Sequence, residues 1–192
     1  MKERPILFSG PMVRAILDGR KTMTRRVVRL RAGEIAHEGG DGRLHAVANT
    51  TWGDCIERVI QCPYGVPGDM LWVRETWASD VDGCPAGLGY RADHLDPRGD
   101  GPANPMRWRP SIHMPRWASR LTLEITAVRV ERLQDISEAD ARAEGCPAEC
   151  PDGNAVDWFS GIWDGINAER GYPWSSNPWV WVIGFERVQR QA

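Results

Sequence analysis

Short apolar runs in this chain are separated by long stretches of glycine, proline and charge, a pattern that predicts strands and short helices joined by generous loops. Pro5-Ile6-Leu7-Phe8 reads as a short buried strand, and Ser9-Gly10-Pro11 opens a helix with proline at its first position. That helix is expected from Pro11 to Asp18. Met12, Ala15 and Ile16 share one face, and Gly19 supplies the left-handed residue that ends it. After the turn chemistry of Pro63 to Asp69, the run from Met70 to Trp77 alternates as a strand. Its buried face carries Leu71, Val73, Glu75 and Trp77, of which Glu75 is the polar member. From Leu121 to Ile125 another strand begins, and its apolar phase slips by one residue to continue as Val128 and Val130. The slip predicts a β-bulge near Thr126 and Ala127. Ser137-Glu138-Ala139-Asp140 has the form of a capping box for a short helix ending near Gly145. A further helix from Val156 to Ile166 puts Phe159, Ile162, Trp163 and Ile166 on one stripe. Pro178 to Phe185 is apolar on both faces, as a central buried strand would be.

About six strands, a few short helices and no regular strand-helix alternation mean an α+β fold with a largely antiparallel, barrel-like sheet. A length of 192 residues fits one domain, 1–192, with one well-buried core. Two glycine- and charge-rich segments, 31–54 and 78–105, are expected to be surface insertions, with weak strand signals at Leu44 to Val47 and Leu88 to Arg91. The unit from Arg107 to Trp117 mixes cations, aromatics and prolines, as a loop at a pocket mouth would.

Twenty-four Lys and Arg against twenty-six Asp and Glu leave a net charge of −2, which argues against a protein that coats nucleic-acid backbone indiscriminately. Any nucleic-acid contact is therefore expected to be local, and a small substrate is favoured over a long polyanion. No apolar stretch has the length of a signal peptide core or a membrane span, so a cytoplasmic location is expected. Five cysteines make an odd count without a disulfide framework, and they are expected to be reduced. Cys146 and Cys150 lie four apart, but no second close pair accompanies them and the four histidines are scattered. No metal and no cofactor are expected. Ten tryptophans outnumber the three Phe and three Tyr, and most should fill the core while one or two offer stacking surfaces for bases.

The candidate chemistry lies in Gly19-Arg20-Lys21-Thr22-Met23-Thr24-Arg25-Arg26, of the form G-x-K-x-x-T-x-R, between the first helix and a strand. With the Pro67-Gly68-Asp69 turn, the Arg74-Glu75 strand and the closing apolar strand in the same order, the chain resembles the ASCH family over nearly its whole length. The Ser111 to Trp117 segment resembles a phage or prophage branch of it. The resemblance implies a PUA-like small β-barrel and a nucleoside or nucleic-acid pocket. It also implies, as in some small members, hydrolysis of N4-acetylcytidine by a Lys, Thr and Glu set, with Lys21, Thr24 and Glu75 at the matching positions.

The residues support that chemistry in their own right. A threonine hydroxyl is a weak nucleophile until a base takes its proton, and lysine serves as that base only with a depressed pKa. Arg20, Arg25 and Arg26 crowd Lys21 with like charge, and burial acts in the same direction. Glu75, on an apolar strand face, is placed to relay a proton or to accept a hydrogen bond from an exocyclic amine. The plainer alternative is a Lys21–Glu75 ion pair with Thr24 capping a turn. Arg26, Arg74, His113, Arg116 and Trp117 are candidate contacts for phosphate or base. Three functions stay open: an amide hydrolase acting on an N4-acylated cytidine, a module that binds RNA or a modified base without altering it, and a ribonuclease.

Overall fold

A computed structural model describes residues 1–40, 43–49, 55–79, 87–93, 107–148 and 153–188. Its centre is a long hairpin-like pair, β9 (Thr122–Arg132) and β10 (Trp179–Val188), whose antiparallel ladder runs almost the full length of both strands. β2 (Met23–Val27) adds to the free side of β10. β6 (Met70–Arg74) adds to β9, and β1 (Glu3–Leu7) pairs parallel with β6, giving the order β1-β6-β9-β10-β2. Three of the four ladders are antiparallel, as the pattern of the chain implied, and the architecture is α+β. The two outer strands approach each other: the Arg26 guanidinium on β2 donates to the Leu7 carbonyl on β1 at 2.7 Å. The sheet is therefore strongly curled.

The curl has a local cause. The β9–β10 register passes from Gly184 opposite Ala127 to Phe185 opposite Ile125, which leaves Thr126 as the extra residue of a bulge. Gly184 eases the close approach there, since a Cβ on it would sit 3.2 Å from the Thr126 hydroxyl. The expected bulge thus stands where the apolar phase slips.

Sheet alternation divides the apolar side chains between two clusters. One holds Ile6, Phe8, Val13, Leu71, Val73, Leu123, Ile125, Trp181, Ile183 and Phe185; the other holds Leu133, Phe159, Trp163, Val180 and Val182. The first is covered by α1 (Gly10–Leu17), which buries Val13, Ala15 and Ile16 and ends before Gly19 at φ 74°. The second is covered by α2 (Glu138–Ala143) and α3 (Ala155–Asn167). Ser137 caps α2 by accepting from the Asp140 amide, and Asn154 caps α3 in the same way from Val156 and Asp157. Phe159 and Trp163 are buried on α3 as expected, but Ile166 is 42% exposed. Beyond Trp163 the helix passes the end of its cluster.

The first segment, expected to be a surface insertion or a hairpin, contains the hairpin and is extended by a third strand. It folds into an antiparallel sheet of β3 (Ile35–Glu38), β4 (Leu44–Asn49) and β5 (Cys55–Val59), and Ala36, Leu44, Ala46 and Ile60 join the first core cluster. Alternation in short, charge-rich strands is too weak a signal to show this from sequence. The strand expected from Met70 to Trp77 is broken at Glu75 and Thr76, and Trp77 begins β7 (Trp77–Ser79), which pairs with β8 (Leu88–Tyr90). Most of the expected second insertion lies outside the described residues. The unit from Arg107 to Trp117 is a loop with two 3-10 turns, Ser111–His113 and Arg116–Ala118. Cys146 is disulfide-bonded to a partner outside the described residues, which corrects the expectation of five reduced cysteines; Cys55 and Cys62 are free. Cys150, the other half of the pair weighed for metal, lies outside the described residues. Among those residues no group of three or more potential ligands is placed to hold a metal, and no helix is long and apolar enough to cross a membrane.

The N-terminal strand is anchored by Asp69, which accepts from the Lys2 amide at 2.7 Å and from Arg4 at 2.8 Å. These bonds hold its carboxyl down at about 2, below the ordinary aspartate value of 3.8. Because the folded-state pKa is depressed, the contribution to stability is present above pH 3.8 and is lost as pH falls towards about 2. Denaturant unfolding followed from neutral pH into that window should show wild-type stability falling more steeply than that of Asp69→Asn, which has no proton to take up. Equal slopes would remove Asp69 from the account.

Candidate functional site

Lys21 stands between the end of α1 and the start of β2, and the backbone holds it from both sides. Its amide donates to the Ala15 carbonyl at 2.9 Å, while the Thr22 amide donates to Ala143 and the Phe185 amide donates to Thr22. Lys21 also forms an isolated antiparallel bridge with Glu144. That approach depends on Gly145, at φ 104°, where an added Cβ would lie 2.9 Å from the Ala15 Cβ and 3.2 Å from the Lys21 Cβ. The side chain is wholly buried, and its amine donates to Glu144 Oε2 at 2.6 Å and to the Glu144 carbonyl at 2.9 Å. Burial, the largest influence, lowers the Lys21 pKa; Glu144 opposes it, and the nearby charges of Arg26 and Arg25 add to the lowering.

Glu144 serves a second cation. Its Oε1 accepts from Arg25 at 3.4 Å, and the other nitrogens of that buried guanidinium bond to Glu131 and Asp140. Alternation along β2 sends Arg25 to the face of the second cluster, where it lies over the Phe159 ring, and sends Thr24 and Arg26 to the face of the first. Arg26 is half-buried, with its guanidinium 5.1 Å from the centre of the Phe8 ring, and the Lys21 amine lies 5.7 Å from the same centre. The Nε–H of Arg26 is buried without a partner among the described residues. Burial lowers the Arg26 pKa, against the influence of Tyr64 and Glu144. Thr24 is 4% exposed, and among the described residues nothing hydrogen-bonds its hydroxyl.

Phe8 links this group to Glu75. The β1–β6 register, Ile6 opposite Val73 and Leu7 opposite Arg74, continues to place Phe8 beside Glu75, and the Phe8 amide donates to the Arg74 carbonyl. Glu75 is 1% exposed and takes a bidentate bond from Arg120 at 2.9 and 3.1 Å, whose outer nitrogens reach Asp93. Burial raises its pKa, and Arg120 opposes the rise. Among the described residues Lys21 and Glu75 do not pair with each other; each has its own counter-ion.

The other expected contacts lie elsewhere. Arg74 projects from the opposite face of β6, donates to the Met114 carbonyl at 3.0 Å and stacks on Trp72. Arg116 also lies over Trp72 and is held bidentately by Glu3. His113 is exposed, and Trp117 is 42% exposed with its ring edge-on to Trp77. Of the five, Arg26 alone shares a face with Thr24. The residue that sequence reasoning missed is Glu144. Its signal was indirect: a lysine read as buried requires a carboxylate, and no spacing tells which.

No family model matches the chain, and no curated protein does. Two solved structures are similar to it. One is described as an ASCH domain from Lactobacillus crispatus, with 11% identity, a TM-score of 0.46, and coverage of 97% of this chain and 79% of that one. The other is a protein of Enterococcus faecalis assigned to DUF984, with 12% identity, a TM-score of 0.44, and coverage of 98% and 80%. Likeness at this level does not carry chemistry from one chain to another.

The buried pair gives a stability test. Glu144→Ala leaves Lys21 and Arg25 buried without their shared carboxylate and should cost about 3–5 kcal/mol in denaturant unfolding. Lys21→Met combined with Glu144→Gln removes both charges of the pair together and should recover a large part of that loss. A loss below about 1 kcal/mol for Glu144→Ala, the level of an exposed ion pair, would mean that the pair is solvated.

Proposed function

We propose that this protein is a nucleobase- or nucleoside-handling domain of ASCH type, its curled sheet a PUA-like barrel. Its reaction is hydrolysis of the exocyclic amide of an N4-acylated cytidine. The observation that carries this reading is Lys21, an amine with no exposure to water, a lowered pKa and, among the described residues, a single carboxylate partner. Such an amine is expensive to keep for structure alone and is suited to taking a proton. Thr24, three residues on, supplies a hydroxyl on a residue that is itself 4% exposed.

In this reading the Thr24 oxygen gives its proton to Lys21 and attacks the acyl carbon. The tetrahedral adduct collapses with cleavage of the carbon–nitrogen bond, and the exocyclic amine of cytidine departs with a proton from Lys21. Water then hydrolyses the threonine ester and releases the carboxylic acid. Glu144 stabilises Lys21 while it carries the proton, and the unpartnered Nε–H of Arg26 is a donor for the oxygen that becomes negative. Glu75, held by Arg120 beside Phe8, is assigned the support of the substrate's amine side.

One observation favours a second reading, in which the domain binds RNA or a modified base without altering it. The Lys21 amine donates to two oxygens of Glu144, which is also what a purely structural ion pair would do.

Release of acetate from N4-acetylcytidine separates the two. Thr24→Ala and Lys21→Arg should each lose at least about 100-fold in rate, the range of a lost acid–base group, while Thr24→Ala still binds substrate. The base must be neutral, so kcat/KM should rise with pH through the Lys21 pKa. Glu144 raises that pKa, so Glu144→Gln should move the rising limb to lower pH. Wild-type protein that binds RNA but is inert towards acylated cytidines would establish the binding module instead.

A further inference from the structure

A groove of about 700 Å³ opens beside the β2–β10 pair, with Val27, Arg29, Arg58, Val59, Tyr64 and Trp181 among its lining residues. We infer that this groove binds a nucleoside phosphate, with the base against the aromatic wall and the phosphate on Arg29.

Its size is within the range of small-ligand sites, roughly 300–1,000 Å³. Its walls combine two aromatic rings with two guanidinium groups, the composition that a planar, anionic ligand requires. The cations are not equivalent. Arg58 is already neutralised by a bidentate bond to Glu34 at 2.8 and 2.7 Å. Arg29 is exposed and makes no ion pair among the described residues, so its charge is available to a ligand. A phosphate entering here thus meets an excess of positive charge.

The groove also adjoins the Lys21 site. Trp181, a lining residue, is the register partner of Arg26, and Tyr64, another, acts electrostatically on Arg26. Arg26 in turn shares the Phe8 ring with Lys21. The groove therefore meets the Lys21 site at Arg26, the register partner of Trp181. The choice of base rests on the function proposed above; the demand for a phosphate rests on the groove itself. The net charge of −2 favours a single nucleotide or a short strand over a long polyanion.

Calorimetric titration of the full chain with cytidine, cytidine monophosphate and a short cytidine-rich single-stranded RNA tests the inference. Cytidine monophosphate should bind about tenfold more tightly than cytidine, the scale of one charge-assisted contact. Arg29→Ala should erase that preference and Arg29→Lys should keep part of it, while Tyr64→Ala weakens both ligands and preserves their ratio. RNA binding that exceeds the mononucleotide through Arg29 identifies a strand as the source of the phosphate; equal affinity identifies the free nucleotide. Equal affinity for cytidine and its monophosphate, or a preference that survives Arg29→Ala, would overturn the proposal. The titrations are repeated on Thr24→Ala, because binding there is independent of turnover. Inertness towards acylated cytidine with the phosphate preference intact sinks the hydrolase alone, and loss of the preference sinks the groove alone.

Discussion

The structure turns on one buried carboxylate. Glu144 holds Lys21 with one oxygen and Arg25 with the other, and the two cations reach opposite faces of the sheet. Lys21 approaches Phe8 in the first apolar cluster, while Arg25 lies over Phe159 in the second. Glu144 therefore joins the two cores through charge where β2 passes between them. Burying three ionised groups is unfavourable unless every hydrogen bond is made, so the geometry around them has little freedom. Asp140 and Glu131 complete the set around Arg25, and Gly145 leaves room for the backbone to come close. The positions of Thr24 and Arg26 follow from this anchoring, since both are set by the start and phase of β2.

What could be read from the sequence was what depends on neighbours in the chain. The slip in apolar phase between Ile125 and Val128 marks the bulge at Thr126, and Ser137 marks the start of α2, because both are written within a few residues. Lys21 and Thr24 could be singled out for the same reason. Glu144 could not, because its bond to Lys21 spans 123 positions and many other acids were equally eligible. Of the three-stranded sheet of β3 to β5, only a weak strand signal at Leu44 to Val47 showed. Its inner face contributes small residues, Ala36 and Ala46, whose burial is decided by contact with the main core and not by a strong local pattern.

The arginines show the same limit in functional terms. Composition ranks Arg26, Arg74 and Arg116 alike, yet their surroundings differ. Arg116 is held by Glu3 through two of its nitrogens, and Arg74 is committed to a carbonyl and the Trp72 ring. Among the described residues Arg26 keeps a buried donor without a partner at Nε, and Arg116 keeps one at a terminal nitrogen. An arginine whose hydrogen bonds are complete contributes little to new binding, whereas an unsatisfied donor in a dry place gains the full value of a bond. Availability, which sequence does not record, separates candidates of identical type.

The same reasoning explains why Lys21 and Glu75 have separate counter-ions. Were they paired with each other across the sheet, each would neutralise the other, and the face between them would carry neither free charge nor a proton to exchange. Glu144 approaches Lys21 from the α2 side, and Arg120 holds Glu75 beyond the end of β6. Phe8 stands as the shared neighbour. Supporting each charge from outside leaves the inner face to an aromatic ring, the Thr24 hydroxyl and the Arg26 donor. Phe8 packs there among the apolar side chains of the first cluster, so the charges are kept at the margins of that core and not within it.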